Sequence, residues 1–298
     1  MINLYIANSD FNNPFTNRRT LKRIYLFCGL LIKDDDEIKL NICLNEIKSR
    51  YSQNTNFPLK WDIESIEIWY KNRNLEKIYN DLATDAFSWK KKLFTKLLDL
   101  NFEFLISIMI NRCSSKKELT NPDSAIVHYS FIKLLQRLGI HIKKQIEKQK
   151  SSESISVTVE SLYKDLIHSK LSEEYKNAYE HGASYFKSPY NNISKYYSGP
   201  LERLYFTSEL NFEELYYNDA LQISGILIEV FREFIYFALH EPYRKLEVEM
   251  FRLVKDKMRG ALNPDEIFKR GLSINSFGAN LDTISKMEKK ILQAFRKL

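Results

Sequence analysis

The chain has 298 residues, long enough to bury a substantial core, and its 44% hydrophobic and 28% charged content is ordinary for a soluble globular protein. Only 8 Gly and 7 Pro stand against 18 Tyr and 19 Phe, which argues for helices and against a turn-rich β architecture. A formal charge of +7 and a pI near 9.0 permit an acidic partner, such as nucleic acid or an anionic membrane surface, but fall short of a dedicated binder. Cys28, Cys43 and Cys113 are odd in number and widely spaced. They argue against a disulfide framework and for a reducing compartment, and read as buried core thiols. The N-terminus lacks a basic segment followed by an apolar run, so no secretory leader is expected. The longest apolar stretch, Leu221 to His240, contains Glu229, Arg232 and Glu233 and reads as a core helix, not a membrane span. A cytoplasmic protein is the expectation.

In chain order, residues 2–7 alternate as a short strand, followed by a polar loop through Asn17. Ile24 to Ile32 is a continuous apolar run suited to a strand buried on both faces. The acidic run 34–37 opens an amphipathic helix, and 57–63 is a third strand or an edge. Residues 72–100 are helical, 102–110 form a buried strand, and 121–148 form a long helix begun by Asn121 and Pro122. Residues 154–160 alternate as a strand, 171–186 are helical, and 188–199 form a loop rich in Asn, Ser, Tyr and Gly. Leu204 to Ser208 is a possible last strand before the apolar helix 219–240. Residues 243–298 read as two or three helices broken by Gly260, Pro264 and Gly271. Strands separated by long helices indicate an α/β architecture, a mixed sheet flanked by helices.

Four stretches, in this order, resemble a known family: "YIANSDF" (Tyr5 to Phe11), "YLFCGLLI" (Tyr25 to Ile32), "LKW" (Leu59 to Trp61) and "LQISG" (Leu221 to Gly225). They are similar to motifs of the bacterial domain-of-unknown-function 3800 family, regarded as RNase H-like. Its members begin with a strand ending Y-I-D-E-S-G-D and carry a late helix starting L-Q-L-A-D. The resemblance covers residues 2–240. It implies an RNase H-like domain over 1–242 with a helical C-terminal extension over 243–298. It also implies a nuclease whose first-strand and last-helix carboxylates hold Mg²⁺ against a scissile phosphate.

This chain departs from that pattern at the positions that matter most. Ala7 stands where the family has Asp, Asn8 where it has Glu, and Asp10 where it has Gly, while Ser9 is retained. Gly225 stands where the late helix has Asp, and Glu160 best matches an acidic residue closing the late strand. Neither a methyl nor a hydrogen side chain ligates a cation. The resemblance therefore implies a degenerate metal site, with no cofactor, on a protein that binds nucleic acid or a protein partner. Bacterial anti-phage defence is the setting suggested by the family's company.

Two other readings stay open. One is an active Mg²⁺-dependent nuclease, with Ala7 replacing a natural Asp or with substitute ligands among Asp10, Asp62, Glu64, Glu160 and Glu229. Glu229 lies at i+4 from Gly225 on the same helix face. The other is a protein-interaction subunit of a toxin or defence complex, whose exposed tyrosines bind the partner.

The five histidines never pair at metal spacing, and neither Ser9 nor Cys113 has the neighbours of a nucleophile. Basic residues are the remaining signal for a phosphate backbone. Lys60 with Trp61, the run Lys90, Lys91 and Lys92, and Lys144 in "HIKKQIEKQK" are the candidates, with Arg18–Arg19 and the C-terminal Lys289 and Lys290 beside them.

Overall fold

β1 (Ile2–Asn12) lies inside a six-stranded mixed sheet of order β5-β4-β1-β2-β3-β6 in a computed structural model that describes residues 1–12, 21–113, 124–149, 153–161, 165–183, 198–277 and 281–298. β2 (Leu21–Lys33) pairs antiparallel with β1, and β3 (Phe102–Cys113) antiparallel with β2. β4 (Ile155–Glu160) runs parallel to β1, β5 (Phe206–Glu213) parallel to β4, and β6 (Leu272–Phe277) parallel to β3. β2 alone runs against the other five.

Side chains alternate across the sheet with the period of two that a pleated strand imposes. Leu4 and Ile6 enter one apolar cluster, Tyr5 and Ala7 the other. The continuous run in β2 serves both: Phe27 and Leu31 go one way, Leu26, Cys28 and Leu30 the other. The Leu4 face is covered by α5 (Ser124–Gln149) and α6 (Asp165–His181). Gly29 lets α5 approach, because a Cβ there would sit 3.0 Å from Leu4 Cδ1 and 3.2 Å from Leu134 Cδ2.

The Ala7 face is covered by α1 (Asp34–Lys48), α2 (Glu67–Lys71), α3 (Glu76–Thr84), α4 (Ala86–Leu98) and α7 (Asp219–Ala238). α7 is apolar nearly all round and is buried accordingly. Its start is fixed by Asn218, whose side chain accepts the Leu221 N–H at 2.8 Å. Asp219 in its first turn pairs with the nearly buried Lys48 at 2.7 Å.

The C-terminal region contributes α8 (Lys245–Val254), the short α9 (Ile267–Arg270) and α10 (Leu281–Lys297). These are the expected helices, with one addition: β6 joins the sheet beside β3, so Leu204 to Ser208 does not begin the last strand. The alternating sequence of β6 was hidden between Gly271 and a short polar run. Phe234 of α7 stacks on Phe251 of α8 at 4.5 Å and meets Phe295 of α10 edge-on at 6.1 Å, so residues 1–242 and 243–298 share one core.

Three further expectations are corrected. Residues 57–63 are not a strand: 57–62 are irregular, a short turn of helix begins at Ile63, and the Leu59 N–H is taken by Gln222 Oε1 in the first turn of α7 at 2.9 Å instead of by a sheet neighbour. β1 continues to Asn12, because pairing with β2 holds as far as Asn12↔Arg23 despite the polar side chains. The helix expected over 72–100 divides at Asp85, whose carboxylate accepts the Tyr51 hydroxyl at 2.5 Å. Asn121, Pro122, Arg18–Arg19 and most of the 188–199 loop lie outside the described residues.

Removing the Phe234 ring takes away the contact shared by α7, α8 and α10. Phe234→Ala is expected to cost about 3–5 kcal/mol, read as a lowered urea midpoint by circular dichroism.

Candidate functional site

The carboxyl ends of parallel strands are where open α/β sheets receive ligands, and here the ends of β1 and β4 bring the candidate residues together. The parallel register Ile6↔Val159 sets Glu160 beside Ala7. Val157 and Val159 face α5 and α6, so Glu160, one residue on, faces α7 together with Ala7 and Ser9. Asn8 has the opposite parity. It joins the site only through its backbone N–H, which donates to Glu160 Oε2 at 3.1 Å.

α7 is fastened across these strand ends by Ser224. Its hydroxyl donates to the Cys28 carbonyl at 2.8 Å, lies 3.3 Å from the Tyr5 carbonyl, and accepts the Ala7 N–H at 3.4 Å. One helix serine thus contacts the backbones of two strands. The next residue is Gly225, and one turn further Glu229 Oε1 accepts the Ser9 hydroxyl at 3.3 Å. Asp10 is the next position of β1, in register with Tyr25.

Two buried carboxyls therefore sit on this face. Burial pushes Glu160 up to about 7, against the opposing pull of the Asn8 N–H and the Lys60 charge. Burial also holds Glu229 above the usual carboxylate range, although Arg232, Lys60 and the Ser9 hydroxyl favour its ionised form. Arg232 Nη2 lies 2.7 Å from Glu229 Oε2. A carboxyl poised near neutrality can give or take a proton, so Glu160 has the chemistry of a general acid or base.

These residues do not fit a divalent-metal centre of the family type. Among the described residues, no group of three or more His, Cys, Asp or Glu side chains is placed to hold an ion. Glu160 and Glu229 are already engaged by an N–H, a hydroxyl and a guanidinium, and Lys60 adds a competing positive charge. Ala7 is fully buried in the core. At Gly225, a Cβ would lie 3.1 Å from Leu215 Cδ1, so Leu215 borders the space where a longer side chain would begin.

The basic candidates do not form one surface. Lys60 is at the site, within the fields of both carboxyls. Trp61 is fully buried, its Nε1 donating to Glu247 at 3.0 Å, so it has no face to offer a base. Lys90 is buried over the Trp61 ring at 4.4 Å, which removes it from contact with phosphate. Lys91 and Lys92 reach the surface of α4, whereas Lys144 is exposed on α5, across the sheet from α7.

Sequence reasoning missed an aromatic and cationic platform beside the site. Arg73 lies 4.2 Å over the Trp69 ring and donates to the Tyr217 hydroxyl at 3.1 Å. Trp69 packs on Tyr216 at 5.8 Å, and Tyr216 feels the charge of Glu160. Arg73 lies in the turn just beyond α2, two residues past its last helical residue Lys71, and folds back over Trp69, so no helix-face spacing in the sequence announced the pair. Of the histidines, His141 is pushed down to about 3 by burial and the nearby Arg259, and His168 stacks on Phe212 at 4.3 Å.

Comparison with protein-family models, with curated proteins and with solved structures found no match.

The raised Glu160 carboxyl has a defined effect on stability. As pH rises from the ordinary carboxylate range toward 7, the unfolded chain loses this proton while the folded chain keeps it, so stability falls. Below that window both states are protonated, and above it the loss is complete. Urea midpoints between about pH 5 and about pH 8 are expected to decline less in Glu160→Gln than in the native chain, and equal declines would assign the effect elsewhere.

Proposed function

We propose that this protein is a non-cleaving relative of RNase H-like nucleases that holds a nucleic-acid strand at the β1, β4 and α7 face. What supports the reading is that Ala7 and Gly225 stand where the resemblance would put carboxylate ligands, with Ala7 buried in the core and Leu215 bordering Gly225. A lone substitution for a natural Asp at position 7 would not explain that packing. Losing two carboxylate ligands removes several kcal/mol of transition-state stabilisation, and each ~1.4 kcal/mol is a factor of ten in rate. Binding is left to Lys60, to Arg73 with Trp69 and Tyr217, and to Lys91 and Lys92, cations and aromatic faces of the kind that grip phosphate and base. A role in bacterial defence against phage belongs to this proposal through the family resemblance.

An active nuclease is the second reading. It is favoured by one arrangement, since Asp62 lies close enough to raise the cost of ionising Glu229 and Glu160 shares Lys60 with Glu229. Nuclease assays with Mg²⁺ or Mn²⁺ separate the two. The native chain is expected to leave DNA and RNA intact, with metal-dependent cleavage appearing only in Ala7→Asp/Gly225→Asp/Leu215→Ala. Cleavage by the native chain would sink the non-cleaving reading.

Binding is tested by gel shift of single-stranded oligonucleotides at rising salt. Arg73→Ala is expected to weaken the complex about tenfold, and Lys91→Glu/Lys92→Glu to flatten its salt dependence by roughly two ions. No shift even at low salt would move the proposal to a protein partner.

A further inference from the structure

A polar cleft of about 530 Å³ lies between α1, residues 55–57 and the start of α7. Its size falls within the range of small-molecule sites. We propose that it binds a neutral, planar heterocycle of nucleobase type, carried by a free nucleoside. The inference does not depend on strand binding.

The first argument is chemical complementarity. Asn41 and Asn45, one helical turn apart on α1, and Asn56 opposite them line the cleft. Their side-chain amides make no hydrogen bond among the described residues, whereas Asn218 is committed to the α7 cap and to Glu213. Each free amide offers two N–H donors and one carbonyl acceptor, the pairing that reads the edge of a base.

The second argument is the aromatic wall. Phe57, Tyr216 and Tyr217 line the same cleft, and Tyr217 is 65% exposed. Its hydroxyl is held by Arg73, so the ring is anchored while its surface stays open. A flat π system gains by stacking on such rings and presents its hydrogen-bonding groups in plane toward the amides.

The third argument is charge. Glu37 and Asp219 against Lys48 leave the lining at two negative charges and one positive, a net −1. Lys48 is spent on Asp219 at 2.7 Å, and Glu37 accepts from Tyr5 and Asn3, both at 2.6 Å. A phosphate inside would meet net repulsion, whereas the amino groups of a base meet acceptors.

The experiment is calorimetric titration of the full chain with adenosine, cytidine, guanosine and uridine, with the matching 5′-monophosphates and glucose in parallel. At least one nucleoside is expected to bind, more tightly than its monophosphate, with Kd raised at least about tenfold in both Tyr217→Ala and Asn45→Leu, a loss of ~1.4 kcal/mol each. Both replaced side chains are exposed, and an unchanged melting temperature confirms the fold. The proposal is overturned by absence of nucleoside binding, by binding that both variants leave unaltered, or by preference for glucose. Failure of oligonucleotide shifts with nucleoside binding intact would overturn strand binding alone, and the reverse pattern would overturn the cleft alone.

Discussion

Everything at the candidate site depends on one long apolar helix lying flat across the middle of the sheet. α7 buries most of its circumference, which water would otherwise oppose, and that burial is the largest single source of its placement. Direction and depth come from polar contacts: the Asn218 cap, the Lys48–Asp219 pair and Ser224 on the strand backbones. A buried hydroxyl left without partners is costly, so Ser224 tolerates little sliding of the helix. Glu229 is thereby delivered to Ser9, and Tyr216 and Tyr217 are held at the helix entrance.

The same helix holds a residue that its own stability does not favour. Gly225 is a poor choice for a helix interior on propensity alone, by about 1 kcal/mol relative to Ala, and it follows directly after the serine that fixes the helix. Leu215 packs up to it from the short turn before the helix, while Arg232 occupies Glu229. Packing at Gly225 and charge at Glu229 are thus both satisfied by residues of this chain.

Much of this was legible in the sequence because the period of apolar residues is a direct record of burial. The run of β2 and the breadth of α7 each stated how many faces would be covered, whereas the alternation of β4 announced one covered face and Thr158 and Glu160 on the other are buried as well. The nearness of Glu160 to Ala7 is set by the parallel register of β4, which no local pattern records. What could not be read was long-range and polar. Trp61 looked like a stacking platform beside Lys60, yet an indole is as well suited to a core, and only the position of Glu247 decides which. Lys90 to Lys92 read as a uniform patch, but a helix rotates consecutive residues by about 100°, so one was turned inward. β6 was missed because a six-residue strand at an edge carries little pattern of its own.

The position of β6 has a consequence for biogenesis. β3 ends at Cys113 and, among the described strands, has β2 alone beside it until the Met258 bridge to Phe104 and then β6, from Leu272, supply the partners for its outer side. During synthesis a hydrophobic strand therefore waits with a row of unpaired amides and carbonyls, the condition that invites pairing with another nascent chain. The interval before that partner emerges is the stretch of synthesis in which the outer side of β3 is open to such pairing.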